Sequence, residues 1–158
     1  MLELTVKPNT PRGFTLLELM VTLAIAAILA SIAAPSFNGL IENQRVRSVS
    51  NDLLSSLNLA RSEAVTRNTN ITIEQASGGW SNGWTVSAGA TVMRTNDGLA
   101  GITLTPKVST VTQVVYGSNG RVNIAAELTI APDSGNAERS KCVSISLSGK
   151  PSINSGDC

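Results

Sequence analysis

Apolar positions along the chain fall into three regimes, and each predicts a different element. From Phe14 to Ala34 nearly every position is apolar, and Glu18 is the one charge in the run. About 20 such residues suffice for a helix to cross a bilayer. Beyond Pro35 and Gly39, which should bend or loosen a helix, apolar residues recur at Val46, Val49, Leu53, Leu57, Ala60 and Ala64. The spacings are three and four, the signature of one buried helix face. Leu54 and Val65 widen the stripe, while Arg45, Arg47, Asp52, Arg61, Glu63 and Arg67 fall mostly between its positions. A helix from about Thr15 to Arg67 is predicted, roughly 80 Å long at 1.5 Å per residue.

After Asn68 the apolar period drops toward two, and Gly, Ser, Thr and Asn become frequent. Short strands are predicted at Ile71–Ile73, Trp84–Ser87, Thr91–Arg94, Ile102–Thr105, Val111–Tyr116, Arg121–Ile124, Leu128–Ile130, Cys142–Leu147 and Pro151–Ile153. Turn signals separate them at Gly78-Gly79, Asn82-Gly83, Asp97-Gly98, Asn119-Gly120 and Ser148-Gly149. One long helix followed by many short strands with Gly-rich turns reads as α+β, the helix packed on antiparallel sheets.

Glu18 is the anomaly of the first regime. A carboxylate in a spanning helix costs roughly 2.5–3.5 kcal/mol at the bilayer centre, and less near an interface. Such a residue is a functional hypothesis that needs a partner. The stretch Gly13-Phe14-Thr15-Leu16-Leu17-Glu18, with the apolar run and Pro35 behind it, resembles the N-terminus of type IV pilins and type II secretion pseudopilins. The resemblance implies that a prepilin peptidase cuts after Gly13 and that Phe14, the new N-terminus, is N-methylated. It also implies that Glu18 pairs with the N-terminal amine of a neighbouring subunit. A buried charge is tolerated when paired, and setting register is the best-attested use of a buried polar group. The leader carries Lys7 and Arg12 and lacks the apolar core of a secretory signal peptide. It stays cytoplasmic by the positive-inside rule.

The segment Asp52–Thr66, with Ala60-Arg61-Ser62-Glu63-Ala64 at its centre, resembles the helix end of the minor pilins and pseudopilins of the FimT, FimU and GspH group. So do two Gly-basic turns, Gly120-Arg121 and Gly149-Lys150, and the C-terminal cysteine pair. The resemblance implies a pilin-like α+β fold. The organisation is then a leader at 1–13, a membrane-spanning and filament-core helix half at 14–42, and an extracytoplasmic domain at 43–158. The implied partners are other minor and major pilins, the prepilin peptidase and an inner-membrane assembly platform. The implied location is the bacterial inner membrane, C-terminus periplasmic, and then a pilus or pseudopilus. The implied function is a minor pilin that helps initiate or cap a type IV pilus. A DNA-capturing minor pilin and a secretion pseudopilin are the alternatives.

With the span inserted this way, Cys142 and Cys158 lie outside the cytoplasm, where disulfides persist. A bridge between them is expected, closing a loop of about 15 residues worth about 3 kcal/mol. Two free thiols or half of a metal site are the other readings. Charge adds little: 12 basic and 11 acidic residues become 10 and 10 once Glu3, Lys7 and Arg12 leave with the leader. Bulk charge does not imply nucleic-acid binding. DNA-binding relatives of FimT carry Gly-Arg-x-Arg, whereas each Gly-basic turn here has one basic residue. Arg121, Lys141 and Lys150 are the candidate DNA contacts. Trp80, Trp84 and Tyr116 could stack on bases, although core packing is the commoner fate. The chain has no histidine, which removes the commonest general base and metal ligand. No nucleophile elbow, metal-ligand cluster or phosphate-cradling loop is present in the sequence, so neither catalysis nor a cofactor is expected.

Overall fold

The computed structural model describes residues 13–98 and 100–158, and the side chains of 32–38 lie outside that description. The expected leader, Arg12 included, therefore falls outside the described residues apart from Gly13. Helix α1 spans Leu16–Arg67, within a residue of the expected start and at the expected end. The helical assignment runs unbroken through Pro35 and Gly39. Compactness divides the chain into two units, at Asn38 and Gly39.

The first unit is the apolar part of α1. Its described large apolar side chains, from Phe14 to Leu29, are all half or more exposed. They have no core of their own to enter. Among the described residues no helix is long and apolar enough to cross a membrane. The described side chains of the apolar run end at Ser31.

The second unit is built on the rest of α1. Val46, Leu53, Leu57, Ala60 and Ala64 are fully buried, so the three-four stripe is the core face. Each buried leucine contributes about 1.5–3 kcal/mol. Two serines share that face. Ser50 is satisfied by the Val46 carbonyl at 2.7 Å and Ser56 by the Asp52 carbonyl at 2.9 Å. Ser56 also accepts a 3.0 Å bond from the Trp84 indole. Val65 departs from the expected stripe and stands exposed. The helix stops at Asn68, whose φ of 51° suits the left-handed position after a helix end. The Thr69 amide then donates back to the Ala64 carbonyl at 3.2 Å.

Among the described residues, eight strands form two antiparallel sheets. The first has the order β3-β2-β1-β5 and the second β4-β6-β7-β8. The strands are β1 Ile71–Gln75, β2 Gly83–Ala88, β3 Thr91–Asp97, β4 Ile102–Pro106, β5 Gln113–Tyr116, β6 Ala126–Pro132, β7 Lys141–Ile145 and β8 Pro151–Ser155. Each matches an expected strand to within a few residues at its ends. Trp80, Trp84 and Tyr116 are buried, so none is placed to stack on a base.

The expected strand Arg121–Ile124 is not one. The structure keeps a single bridge, Tyr116 to Val122. The Asn123 side chain takes the Val115 amide at 2.9 Å, while its own amide donates to the Val115 carbonyl. A side chain has replaced the ladder, as Asn does at turns. Likewise β7 ends at Ile145, and Leu147 stands exposed in the turn that follows.

Candidate functional site

The N-terminal end of α1 is capped from within. Thr15 precedes the helix, and its hydroxyl accepts the Glu18 amide at 3.2 Å. Thr-x-x-Glu is the capping-box spacing. Only the Thr15 half of the box is formed among the described hydrogen bonds, so the Glu18 carboxylate stays available. Its charge also suits the positive end of the helix dipole. Phe14 beside it is 79% exposed. The sequence reading missed this cap, which Thr15-x-x-Glu18 signals directly.

At the other end of α1 the two Gly-basic turns meet. Gly120 (φ +71°) closes one turn, its amide donating to the Gly117 carbonyl at 2.8 Å. Gly149 (φ +79°) closes the other, its amide donating to the Ser146 carbonyl at 2.8 Å. A Cβ on Gly149 would fall well inside contact distance of the Gly120 carbonyl oxygen, and 3.1 Å from Tyr116 Cε1. Arg61 of α1 donates through Nε to that same carbonyl at 3.2 Å. Helix, first turn and second turn are thus stacked on one carbonyl. Arg121 and Lys150 are exposed on these touching turns. Sequence reading found both turns, but not that they share a site or that Arg61 joins them.

Lys141 lies elsewhere. It donates to the Ser155 hydroxyl at 2.8 Å and lines a cleft with Arg47. The three expected DNA contacts are therefore two neighbouring turn residues and one separate lysine.

Beneath the turns, the Tyr116 hydroxyl is buried without a hydrogen-bond partner among the described residues. Burial pushes its pKa up from 10 to about 12, against the Arg61 charge, which pulls the other way. An unsatisfied buried group costs about 1–3 kcal/mol, so Tyr116→Phe is expected to be as stable as the parent or more so. The parent should lose stability as pH rises from about 10 to about 12. In that window the unfolded chain gives up the phenol proton and the folded one holds it. The variant should not show that loss. The chain has one tyrosine, so tyrosinate absorbance reads this group alone.

Cys142 and Cys158 are bonded, with Cα atoms 5.0 Å apart, inside the usual range. The bridge ties the chain's last residue to β7. The Cys158 amide also donates to the Thr129 hydroxyl at 3.0 Å. Among the described residues no cluster of His, Cys, Asp or Glu could hold a metal.

The comparisons with known proteins follow the same division. Residues 9–34 match the prokaryotic N-terminal methylation motif. Residues 49–149, more than half of the chain, match the type II transport protein GspH family. The type IV minor pilin FimU of Pseudomonas aeruginosa is similar in structure, with TM-score 0.64 and 25% identity over 73% of this chain and 92% of FimU. The minor pseudopilin EpsH of Vibrio cholerae shares the fold, with TM-score 0.57 and 14% identity over 70% and 97%. A type IV major alpha-pilin of Moraxella bovis is 44% identical over 45 residues, and that match covers 28% of each chain. A methylation motif on an exposed apolar helix, followed by a disulfide-closed domain matched from residue 49 to 149, places this chain in the GspH family of type IV minor pilins and pseudopilins.

Proposed function

We propose that this chain is a minor pilin that helps initiate or cap a type IV pilus. One observation carries the reading. Every described large apolar side chain from Phe14 to Leu29 is exposed, while the second unit completes its core with its own part of α1. Surface this apolar needs lipid before assembly and neighbouring helices after it. In this reading the prepilin peptidase cuts after Gly13 in the inner membrane, Phe14 is methylated, and the assembly platform passes the chain to its partner pilins. Glu18 then accepts the amine of a neighbour. FimU, similar at 25% identity, supports the pilus reading, and the match to the type II transport protein GspH family supports the pseudopilin alternative. The test is a chromosomal deletion with surface pili counted by microscopy. An initiator's loss lowers the number of pili and leaves the length of the remaining ones unchanged. Normal pilus number in the deletion strain contradicts the role.

The touching turns favour one second reading, DNA capture through Arg121 and Lys150. Two phosphate contacts give a slope of log affinity against log salt of about −2. Binding of that kind is expected to vanish near physiological salt. A tight complex that survives physiological salt and is lost in Lys150→Ala would move the protein to DNA uptake.

A further inference from the structure

Lys141, set apart from the turns, belongs to a different site. A cleft of about 150 Å³ lies between α1 and strands β7 and β8, lined by Arg47, Ser50, Asn51, Lys141 and Ile153. Arg47 and Asn51 are four residues apart, on one helix face. Lys141 approaches from the sheet. Among the described residues neither cation has a carboxylate within ion-pair distance, and no acidic side chain lines the cleft. Lys141 spends one donor on Ser155, which leaves two of its three. Arg47 and Asn51 are exposed at the mouth of the cleft and make no described side-chain hydrogen bond, so an incoming anion competes for their donors only with solvent. Ser50 is already satisfied by Val46, and Ile153 supplies an apolar wall. The volume is below the roughly 300 Å³ where pockets for drug-sized ligands begin. It equals a few water volumes of about 30 Å³ each, room for one small anion.

We propose that this cleft binds a single phosphoryl group. A guanidinium fork, an ammonium and a carboxamide converge on one small space, and they offer more donors than the two oxygens of a carboxylate can use. Tetrahedral phosphate, with three or four acceptor oxygens, matches that set. Arg supplies the directional pair of bonds and Lys the compact charge. The source that membrane anchoring puts at hand is a phospholipid headgroup, which presents the same phosphoryl chemistry. The headgroup assignment rests on the anchored reading, whereas the phosphoryl site itself does not.

The experiment uses the full-length chain in maltoside micelles, which contain no phosphate. Inorganic phosphate is titrated at constant ionic strength against chloride, and the Arg47 side-chain Nε–H and the Asn51 and Ile153 amides are followed by NMR. The expected result is a saturable shift at these three positions in the millimolar range. It should weaken at least tenfold in Arg47→Gln/Lys141→Gln, with the Trp84 indole signal unchanged to show that the variant is folded. A second arm places the protein in phosphatidylglycerol nanodiscs without added phosphate. Shifts already present there, with no further response to phosphate, identify the lipid headgroup as the source. A phosphate response retained in the discs identifies a free anion. No saturable shift, an equal response to chloride, or a shift retained in the double variant overturns the site. An equal response to acetate, or a response to duplex DNA alone, overturns the phosphoryl assignment.

Discussion

Gly149→Ala is expected to destabilise the second unit by about 2–5 kcal/mol. Two costs add. The residue sits at φ +79°, where a residue with a Cβ pays about 1–2 kcal/mol. The new methyl then meets the Gly120 carbonyl oxygen, backbone already held by Arg61 and unable to yield cheaply. Overpacking of that kind costs about 1–3 kcal/mol. The sum is a large share of the 5–15 kcal/mol a domain has in total. Gly89→Ala is the control: its φ is +58° and nothing lies within 4 Å of a Cβ there. It should cost only the backbone term, about 1–2 kcal/mol. Denaturant midpoints of the two variants measure the difference. Equal losses at Gly149 and Gly89 would mean that the stacked turns contribute nothing beyond local strain.

Glu18→Ala is expected to abolish incorporation into pili while leaving membrane insertion and leader cleavage intact. Removing the carboxylate makes the helix more apolar, so insertion becomes easier. On the proposed pairing, what is lost is the partner for the neighbouring subunit's amine, which is then left unpaired in the filament core. Breaking one side of a buried pair costs about 3–5 kcal/mol, enough to reduce incorporation by a hundredfold or more at equilibrium. The Thr15 cap uses the Glu18 amide and not its carboxylate, so the variant keeps its helix start. Immunoblots of sheared pili against membrane fractions read the outcome. Normal incorporation of the variant removes the register role.

Helix and strands were legible because their signals are local. Spacings of three and four from Val46 to Ala64 leave one face for the core, and that face is the buried one. The cysteines were legible because only two exist. What sequence could not show is where distant turns meet. Gly120 and Gly149 are far apart in the chain, one following β5 in the first sheet and the other following β7 in the second, and their approach is a tertiary contact that no local pattern signals. Lys141 read as a third basic contact, yet β7 places it beside Arg47 and not beside Lys150. Arg121–Ile124 read as a strand because Val122 and Ile124 alternate. The side chain of Asn123 took the ladder's bonds instead.

A second long-range contact escaped the sequence for the same reason. The Arg139 guanidinium pairs with Glu42 and lies across Gly39, its Cζ 3.0 Å from where a Cβ would stand. Gly39 reads from sequence as a point of helix weakness. In the structure it is the space into which a loop arginine fits.

Filament assembly as proposed requires that this chain be processed at Gly13 and packed through the helix that begins at Phe14. Mass spectrometry of sheared, purified pili tests that directly. The expected finding is a chain beginning at N-methylated Phe14, with the Cys142–Cys158 bond intact, at low abundance beside the major pilin. An assembled chain that still begins at Met1, or a protein absent from pili and found only in the membrane, would contradict it.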